Sequence, residues 1–203
     1  MTQEGAPPVG AAVASDSTTA RRGGSSRPVR LASLALAIVT AALVLALAVA
    51  PPATKLGADT PLMGKLAPAV TAQTISGQRF TLASLHGHFA VVDFFASWCP
   101  PCQLEQPQLE RFVSDNRGRG GARLVGVIFS DSVGNVIGFL GPALGQYPVI
   151  ADPTGVIATS FGVGNPPTKF VIDPKGRIIA KILGAVTADG LERLISEART
   201  RGE

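Results

Sequence analysis

The chain of 203 residues contains few of the side chains on which most binding sites are built. It has two cysteines, two histidines, one tryptophan and one tyrosine, and aromatic residues make up 5% of its length. Two cysteines cannot form the dense disulfide framework of small secreted proteins, and a chain of this length buries a sufficient core without one. The 18 basic residues form no cluster in the C-terminal part, so the sequence gives nucleic-acid binding little support.

The N-terminal part carries no globular pattern but contains one long apolar run. Residues 1–30 are rich in Gly, Ala, Ser and Pro and are expected to form a disordered cytoplasmic tail. In residues 31–50 only Ser33 and Thr40 are polar and none is charged. Twenty residues of helix span about 30 Å, the thickness of a bilayer core. The run therefore predicts one transmembrane signal-anchor helix. Arginines precede it, so the chain after residue 50 is expected outside the membrane.

A cleaved signal peptide, and hence a secreted protein, is the alternative, because Ala48, Val49 and Ala50 resemble a cleavage site. The run is longer than the 7–15 residues usual for a signal core. Pro51 and Pro52 follow it and should hinder a peptidase that needs extended backbone. Residues 51–66, with several prolines and glycines, are predicted to be a linker to one folded domain at residues 67–203.

The sequence of residues 67–203 predicts an α/β domain with a mixed sheet and helices on both faces. Apolar runs alternate with amphipathic segments, and two turn signals, at residues 76–78 and 173–176, separate pairs of short strands. The predicted strands are residues 69–75, 79–82, 89–95, 122–129, 147–151, 169–172 and 177–183. The predicted helical segments are residues 99–116, 133–140, 156–161 and the one that follows Thr187.

Both cysteines lie where a buried strand is expected to run into a helix. Cys99 would meet unpaired backbone N–H groups and the positive end of the helix dipole, which favours the thiolate. Cys102 lies one turn further and is placed to resolve a mixed disulfide formed by Cys99. A zinc half-site lacks the two further ligands that it needs, and an inert disulfide between residues so close would add little stability. No metal is expected, and no cofactor besides the redox-active pair itself.

Two carboxylates accompany the cysteines. Asp93 interrupts an apolar strand six residues before Cys99, so it is read as a buried acid that exchanges a proton with Cys102, or else as an edge carboxylate. Glu105, three residues past Cys102, is either a solvated helix residue or a second acid near the pair. Pro100 and Pro101 remove two N–H donors close to the sulfurs. We expect a less stabilised thiolate and therefore a more reducing pair.

At this point the residues resemble a known family. Residues 93–102 are similar to the thioredoxin active site, Asp-Phe-x-Ala-x-Trp-Cys-x-Pro-Cys. Cys-Pro-Pro-Cys-x-x-Glu-x-Pro at residues 99–107 resembles the membrane-anchored TlpA/ResA/CcmG branch of thiol–disulfide oxidoreductases. Residues 147–153 and 162–173 resemble it as well, and the likeness extends from about Leu66 to Arg199.

The resemblance implies a thioredoxin fold with an added N-terminal β-hairpin and a βα insertion near residues 130–150. It implies that Cys99 and Cys102 are catalytic, with Glu105 as a neighbouring acid. Asp93, which we take as a second catalytic acid, resembles general thioredoxin, whereas several members of the branch carry a neutral residue at that position. The resemblance also implies a substrate-binding surface that contains Trp98, Pro100, Pro166 and Pro167, with Pro167 in the cis form. Its implied partners are protein thiols and disulfides, together with a transmembrane electron-transfer protein.

One departure concerns substrate binding. In thioredoxin-like proteins the residue before the cis-proline pairs its backbone with the substrate, and here that residue is Pro166, which lacks an N–H. We therefore expect one substrate hydrogen bond to be absent.

The sequence thus predicts a membrane-tethered, extracytoplasmic reductant of disulfides, with apocytochrome c as a candidate substrate. The alternatives are an oxidase that forms disulfides in secreted proteins and a redox-inactive binding module or copper chaperone.

Overall fold

The computed structural model describes residues 27–49, 55–56, 58–118 and 120–203. It divides the chain into two compact units, residues 1–50 and 51–203. In the first unit, helix α1 (Arg27–Val49) begins four residues before the predicted start of the apolar run, and its side chains at residues 31–45 are exposed. The predicted tail up to residue 26 lies outside the described residues. Over the part of the chain that the structure describes, no helix combines the length and hydropathy that a membrane crossing requires.

The second unit is built on a six-stranded sheet. Its strands are β1 (Lys55–Leu56), β4 (Ala90–Phe95), β5 (Arg123–Ile128), β6 (Val149–Ala151), β7 (Thr168–Ile172) and β8 (Ile178–Leu183). Across the sheet they lie in the order β1-β8-β7-β4-β5-β6. Strands β4, β5 and β6 pair in parallel, whereas β7 is antiparallel to β4 and β8 is antiparallel to both β7 and β1. The predicted mixed sheet is confirmed. A separate hairpin, β2 (Thr71–Gln73) and β3 (Arg79–Thr81), stands where the sequence predicted one.

Helices cover both faces of the sheet, as predicted. They are α2 (Pro100–Asp115), α3 (Val133–Leu140), α4 (Val156–Ser160) and α5 (Ala188–Arg201). Alternate side chains of β4 point to opposite faces, because the side-chain period of a strand is two. Val91 and Phe95 belong to the core cluster that contains both cysteines and the apolar sides of α2 and α5. Val92 and Phe94 belong to a second cluster, which includes residues of α4 and β3.

The segment predicted as a linker, residues 51–66, contributes to the sheet. Lys55 and Leu56 pair with the outer edge of β8. The N–H of Ala58 donates to the oxygen of Lys181 at 3.0 Å, and the N–H of Ile178 donates to the oxygen of Lys65 at 2.9 Å. Residues 55–56 and 58–65 thus satisfy backbone groups that would otherwise be unpaired at a sheet edge. The β-structure begins before the expected boundary at residue 67.

The hairpin lies beside the opposite edge of the sheet. The N–H of Ile75 donates to the oxygen of Val149 in β6 at 2.8 Å, and Thr74 forms an isolated bridge with Ile150. The hairpin thus remains a separate two-stranded sheet that is joined to β6 just after β2.

Strand register brings the expected site residues to one end of the sheet. β4 ends at Phe95, and α2 begins five residues later with the cysteine pair at its start. β7 begins at Thr168, which lies opposite Phe94. Pro167, immediately before β7, therefore lies at the same end of the sheet as the cysteines.

Packing is especially close at Gly126, which faces Asp93 across the β4–β5 pairing. A Cβ atom at residue 126 would lie 2.7 Å from Cε1 of Phe95 and 3.3 Å from Cε2 of Tyr147. Only glycine therefore allows both rings to pack over this point of the sheet.

We predict that Gly126→Ala lowers the free energy of unfolding by about 1–3 kcal/mol, because the new methyl group overpacks this face of the sheet. Chemical denaturation of the full chain measures the change. The matched control is Gly138→Ala on the exposed side of α3, where a Cβ meets nothing within 4 Å. It should be neutral or stabilising by up to about 1 kcal/mol. Equal stability of the two variants would contradict the packing at Gly126.

Candidate active site

The two cysteines form a disulfide at the N-terminus of α2, with their Cα atoms 5.3 Å apart. Cys99 is the N-cap residue, with extended backbone, and its Sγ accepts the N–H of Cys102 at 3.3 Å. Pro100 and Pro101 fill the first two helical positions, so Cys102 supplies the first N–H of the helix. Both cysteines are nearly buried, with at most 2% of their surface exposed. This arrangement confirms the predicted helix start and the expected shortage of donors around the sulfurs.

The loop before the disulfide is held by the loop that follows β5. Asp131 Oδ2 accepts the N–H of Ser97 at 2.7 Å and its hydroxyl at 2.5 Å. The indole N–H of Trp98 donates to the backbone oxygen of Ser130 at 3.1 Å. Ser130 has a φ of 47°, a left-handed conformation uncommon for residues other than glycine. We call Ser97, Trp98, Ser130 and Asp131 the outer clamp. Trp98 remains 54% exposed within it, so its ring forms part of the surface beside Cys99.

Asp131, the charged member of the outer clamp, is partly exposed to solvent. Partial burial raises the pKa of its carboxyl, but hydrogen bonds from Ser97, Asn135 and Ser132 lower it by more. Asp131 therefore stays ionised throughout the neutral range.

Three charged side chains are buried between α2 and the sheet. Lys169 of β7 lies opposite Asp93 of β4 in the strand register. Lys169 Nζ is 2.6 Å from Glu105 Oε1 and 3.2 Å from Asp93 Oδ1. Glu105 Oε2 accepts the N–H of Val186, from the loop after β8, at 3.0 Å. The three side chains are each at most 2% exposed, and we call Asp93, Glu105 and Lys169 the buried triad.

Burial changes the acidity of both carboxyls of the triad. Desolvation raises the pKa of Asp93, and the nearby charge of Lys169 only partly offsets it. Desolvation, with a smaller contribution from the charge of Asp93, raises the pKa of Glu105 to about 7 against the attraction of Lys169. Two acids that interact this closely lose their protons in successive steps. The pair can therefore hold a proton close to neutral pH.

The peptide bond between Pro166 and Pro167 is cis, as the family resemblance implied. Pro167 is buried and Pro166 half-buried. The oxygen of Pro167 accepts the N–H of Gly184 at 3.0 Å, and the hydroxyl of Thr168 donates to the oxygen of Asn165 at 2.7 Å. Hydrogen bonds on both sides therefore hold this loop beside the start of β7.

The structure answers two questions that the sequence left open, one about Asp93 and one about Glu105. Asp93 is a buried residue of a central strand, so the interpretation as an edge carboxylate is wrong. Glu105 is a second buried acid rather than a solvated helix residue, because it lies on the buried face of α2 and contacts Lys169. Among the described residues, no group of three or more histidine, cysteine or acidic side chains is placed to hold a metal ion.

Sequence reasoning missed Lys169 and three members of the outer clamp, Ser97, Ser130 and Asp131; Trp98 was named from the family resemblance. Lys169 had one detectable signal, since it is the single charged residue in the apolar run Thr168–Ile172, just as Asp93 is in Ala90–Phe95. Two opposite charges in neighbouring buried strands indicate an ion pair. Ser97 and Asp131 carried no such signal, because 34 residues separate them.

Comparison with known proteins agrees with this geometry. Residues 63–181 match the model of the AhpC/TSA family. The chain is 36% identical over 139 residues to the thiol:disulfide interchange protein HelX of Rhodobacter capsulatus, covering 67% of this chain and 76% of HelX. It is 28% identical to the thiol-disulfide oxidoreductase ResA of Bacillus thuringiensis, covering 64% and 75%.

A solved structure is similar as well. The crystal structure of a thiol:disulfide interchange protein of the thioredoxin family from Chlorobium tepidum matches with a TM-score of 0.59 and 30% identity. The match covers 70% of this chain and 99% of that protein.

The buried acid predicts how stability depends on pH. The pKa of Glu105 is raised from 4.5 to about 7. Between these values the folded protein keeps a proton that the unfolded chain has lost, so the free energy of unfolding falls as pH rises, by about 3 kcal/mol over the window. Below pH ~4.5 and above pH ~7 Glu105 contributes no slope.

We predict that Glu105→Gln removes this part of the slope between pH ~4.5 and ~7 in urea denaturation of the oxidised protein. The control Glu197→Gln, at an exposed position of α5, should keep the wild-type slope. An unchanged slope in Glu105→Gln would show that Glu105 does not hold its proton into the neutral range.

Proposed function

Because this chain belongs to the AhpC/TSA family and is a thiol–disulfide oxidoreductase of its ResA/CcmG/DsbE branch, we propose that it reduces disulfides of protein substrates outside the cytoplasmic membrane. The Cys99–Cys102 disulfide at a helix start is the redox centre of this proposal. The direction of electron transfer is inferred from the surroundings of the sulfurs.

One observation carries the proposed direction. An N-cap side chain normally accepts N–H groups from the second or third residue of its helix. Here the second residue is Pro101, so only the N–H of Cys102 reaches Cys99 Sγ. Fewer donors stabilise a Cys99 thiolate less, and a less stabilised reduced form makes the pair a stronger reductant.

The proposed reaction follows from the placing of the two sulfurs. The Cys99 thiolate attacks one sulfur of a substrate disulfide, forms a mixed disulfide and releases the other substrate sulfur as a thiolate. Cys102 then loses its proton and attacks Cys99 Sγ. This closes the intramolecular disulfide and releases the second substrate thiolate, so two electrons pass from the cysteine pair to the substrate.

Substrate binding falls to the surface around Cys99. The exposed ring of Trp98 and the half-buried Pro166 are available for contact beside the disulfide. Pro166 offers a carbonyl oxygen but no N–H, so a substrate strand gains one backbone hydrogen bond fewer there than in relatives with another residue. Apocytochrome c is the substrate that the family resemblance suggests. A transmembrane protein is the corresponding electron donor.

A membrane tether is a separate part of the proposal. It is supported by the uncharged sequence of residues 31–50 and by the exposed apolar side chains of α1. It is also supported by the arginines before the run, which favour a cytoplasmic N-terminus.

We predict a reduction potential of the purified protein well below the roughly −120 mV of strongly oxidising enzymes. Pro101→Ala restores an N–H at the second helical position and should raise the potential by about 30 mV, because a hydrogen bond to a charged group contributes about 1.5 kcal/mol. Equilibration with glutathione or dithiothreitol measures both values.

The control for this prediction is Pro107→Ala, the same substitution in α2 but beyond the turn that faces Cys99. It should leave the potential unchanged. A potential near −120 mV, together with a mostly oxidised pair in the cell, would support the oxidase alternative and overturn the proposed direction.

We predict that the full chain stays in the membrane fraction after an alkaline wash. The double variant Val39→Arg/Leu43→Arg should move to the soluble fraction, because a central arginine opposes insertion by about 2.5–3.5 kcal/mol. The control Leu66→Arg lies outside the run and should behave as wild type. A soluble wild-type protein whose N-terminus is Pro51 would instead establish a cleaved signal peptide.

A further inference from the structure

A long stretch of the chain beside the disulfide loop carries no charge. No charged residue occurs between Asp131 and Asp152, although charged residues make up 16% of the sequence. The stretch includes α3, and only Val136 and Leu140 of this helix are buried. A helix on the surface of a globular protein normally presents charged and polar side chains to water. Burial therefore does not explain why the outer side of α3 is uncharged.

Large apolar side chains stand on this outer side. Val133 and Ile137 lie four residues apart in α3, so they face the same way, and Leu144 follows after a short turn. Their exposed fractions lie between 36% and 43%. Ile137 and Leu144 also line a common cavity. We call Val133, Ile137 and Leu144 the α3 patch. Exposed apolar side chains that lie together, unlike single ones, indicate a contact site for another molecule.

The cavity beside Ile137 and Leu144 has a volume of about 380 Å³. The β2–β3 hairpin contributes Ile75 to its lining, and the segment that leads into β6 contributes Tyr147 and Val149. Every residue that lines the cavity is uncharged. Pockets that hold small ligands have volumes of about 300–1,000 Å³. The cavity therefore has room for an apolar side chain from another molecule.

The α3 patch is continuous with the surface that surrounds the disulfide. The outer clamp holds the loop before Cys99, and Asp131 of the clamp also accepts the side-chain N–H of Asn135, in the first turn of α3, at 3.0 Å. The indole of Trp98 donates to Ser130, just before this helix, while its ring stays exposed. A polypeptide that reaches Cys99 over the Trp98 ring therefore meets the α3 patch next.

We propose that the α3 patch and its cavity bind an uncharged, extended segment of the protein with which this chain exchanges disulfides. The segment runs from its reacting cysteine at Cys99 across Trp98 and places an apolar side chain in the cavity. The proposal rests on the disulfide exchange proposed above. It does not depend on the direction of electron transfer or on the membrane tether.

Two physical effects select such a segment. Burial of an apolar side chain against the α3 patch is favourable in proportion to the area that is removed from water. A charged side chain in the cavity loses its hydration, and the uncharged lining offers it no opposite charge. The surface thus discriminates between partners by what lies near their reacting cysteine, in addition to the reactivity of the cysteine itself.

The dimensions of α3 set where the apolar residue lies in the partner. Ile137 follows the N-cap residue Ser132 by five positions, which is about 7 Å along the helix axis. An extended polypeptide advances about 3.3 Å per residue. Together with the width of the Trp98 ring, this distance corresponds to about four to seven residues between the reacting cysteine and the residue in the cavity.

The test compares two peptides that differ only in that residue. Each consists of glycine and serine with one central cysteine, held as a mixed disulfide with thionitrobenzoate, and carries either leucine or asparagine about five residues from the cysteine on both sides. The reduced full chain converts each peptide disulfide into the peptide thiol and thionitrobenzoate. Cys99 and Cys102 form their disulfide in the same reaction, so two electrons leave the protein.

The absorbance of released thionitrobenzoate gives the second-order rate constant for each peptide. The leucine peptide should react about tenfold faster, because burial of one leucine side chain contributes at least that factor. Ile137→Gln should bring the ratio of the two rates close to one. Leu144→Gln, at the same cavity, should do so as well, so the result does not depend on one variant. The control Val156→Gln changes an exposed residue of α4, beside the other core cluster, and should keep the wild-type ratio.

The outcomes separate this proposal from the proposed function. A wild-type ratio near one, with both peptides reacting, would overturn the binding role of the α3 patch and leave disulfide exchange intact. Failure of the reduced protein to react with either peptide would overturn both. A tenfold ratio that persists in Ile137→Gln and Leu144→Gln would place the preference elsewhere. A full chain that sediments as a dimer, and as a monomer in Ile137→Gln, would show that a second copy covers the patch and would also contradict the proposal.

Discussion

The structure around the cysteines depends on how one buried lysine is neutralised, because its acidic partners come from different elements of the fold. Lys169 of β7 reaches Glu105 of α2 and the neighbouring Asp93 of β4, and Glu105 in turn accepts a hydrogen bond from the loop after β8. A buried charge that loses a partner destabilises the fold more than the pair stabilises it. Helix, strand and loop therefore cannot shift independently, and the start of α2 is fixed relative to the sheet.

The two sides of the disulfide are built differently. On the inner side, both cysteines belong to a buried core cluster, and Glu105 of the triad lies one helical turn beyond Cys102. On the outer side, Asp131 holds Ser97, and the carbonyl of Ser130 holds the indole of Trp98, while the ring itself stays exposed. The Trp98 ring on the outer side is therefore accessible to a partner, whereas the side chains on the inner side are closed to one.

The strands and the cysteine pair could be predicted from the sequence. The contacts of Lys169 could not, because they depend on how distant strands pair. Apolar runs and turn signals predicted the strands, and the spacing of Cys99 and Cys102 predicted the redox pair, because both are local patterns. The burial of Asp93 followed from the run around it. Lys169 is the single charged residue of a short apolar strand, which hints at burial, but only the pairing of β7 with β4 shows that it meets Asp93. The cis bond before Pro167 came from resemblance alone, because few X–Pro bonds are cis.

Residues 55–56 and 58–65 belong to a segment whose proline and glycine content predicted a linker. Their pairing with β8 affects where another polypeptide can add to the sheet. This segment occupies the outer edge of β8, and the β2–β3 hairpin occupies the edge of β6. A protein that exchanges disulfides with other polypeptides meets extended segments that readily add to an open strand. A segment that adds to the sheet would therefore pair with β1 or with the hairpin, and not with β8 or β6. The disulfide follows β4, a central strand, so disulfide exchange takes place at one end of the sheet and not along either edge.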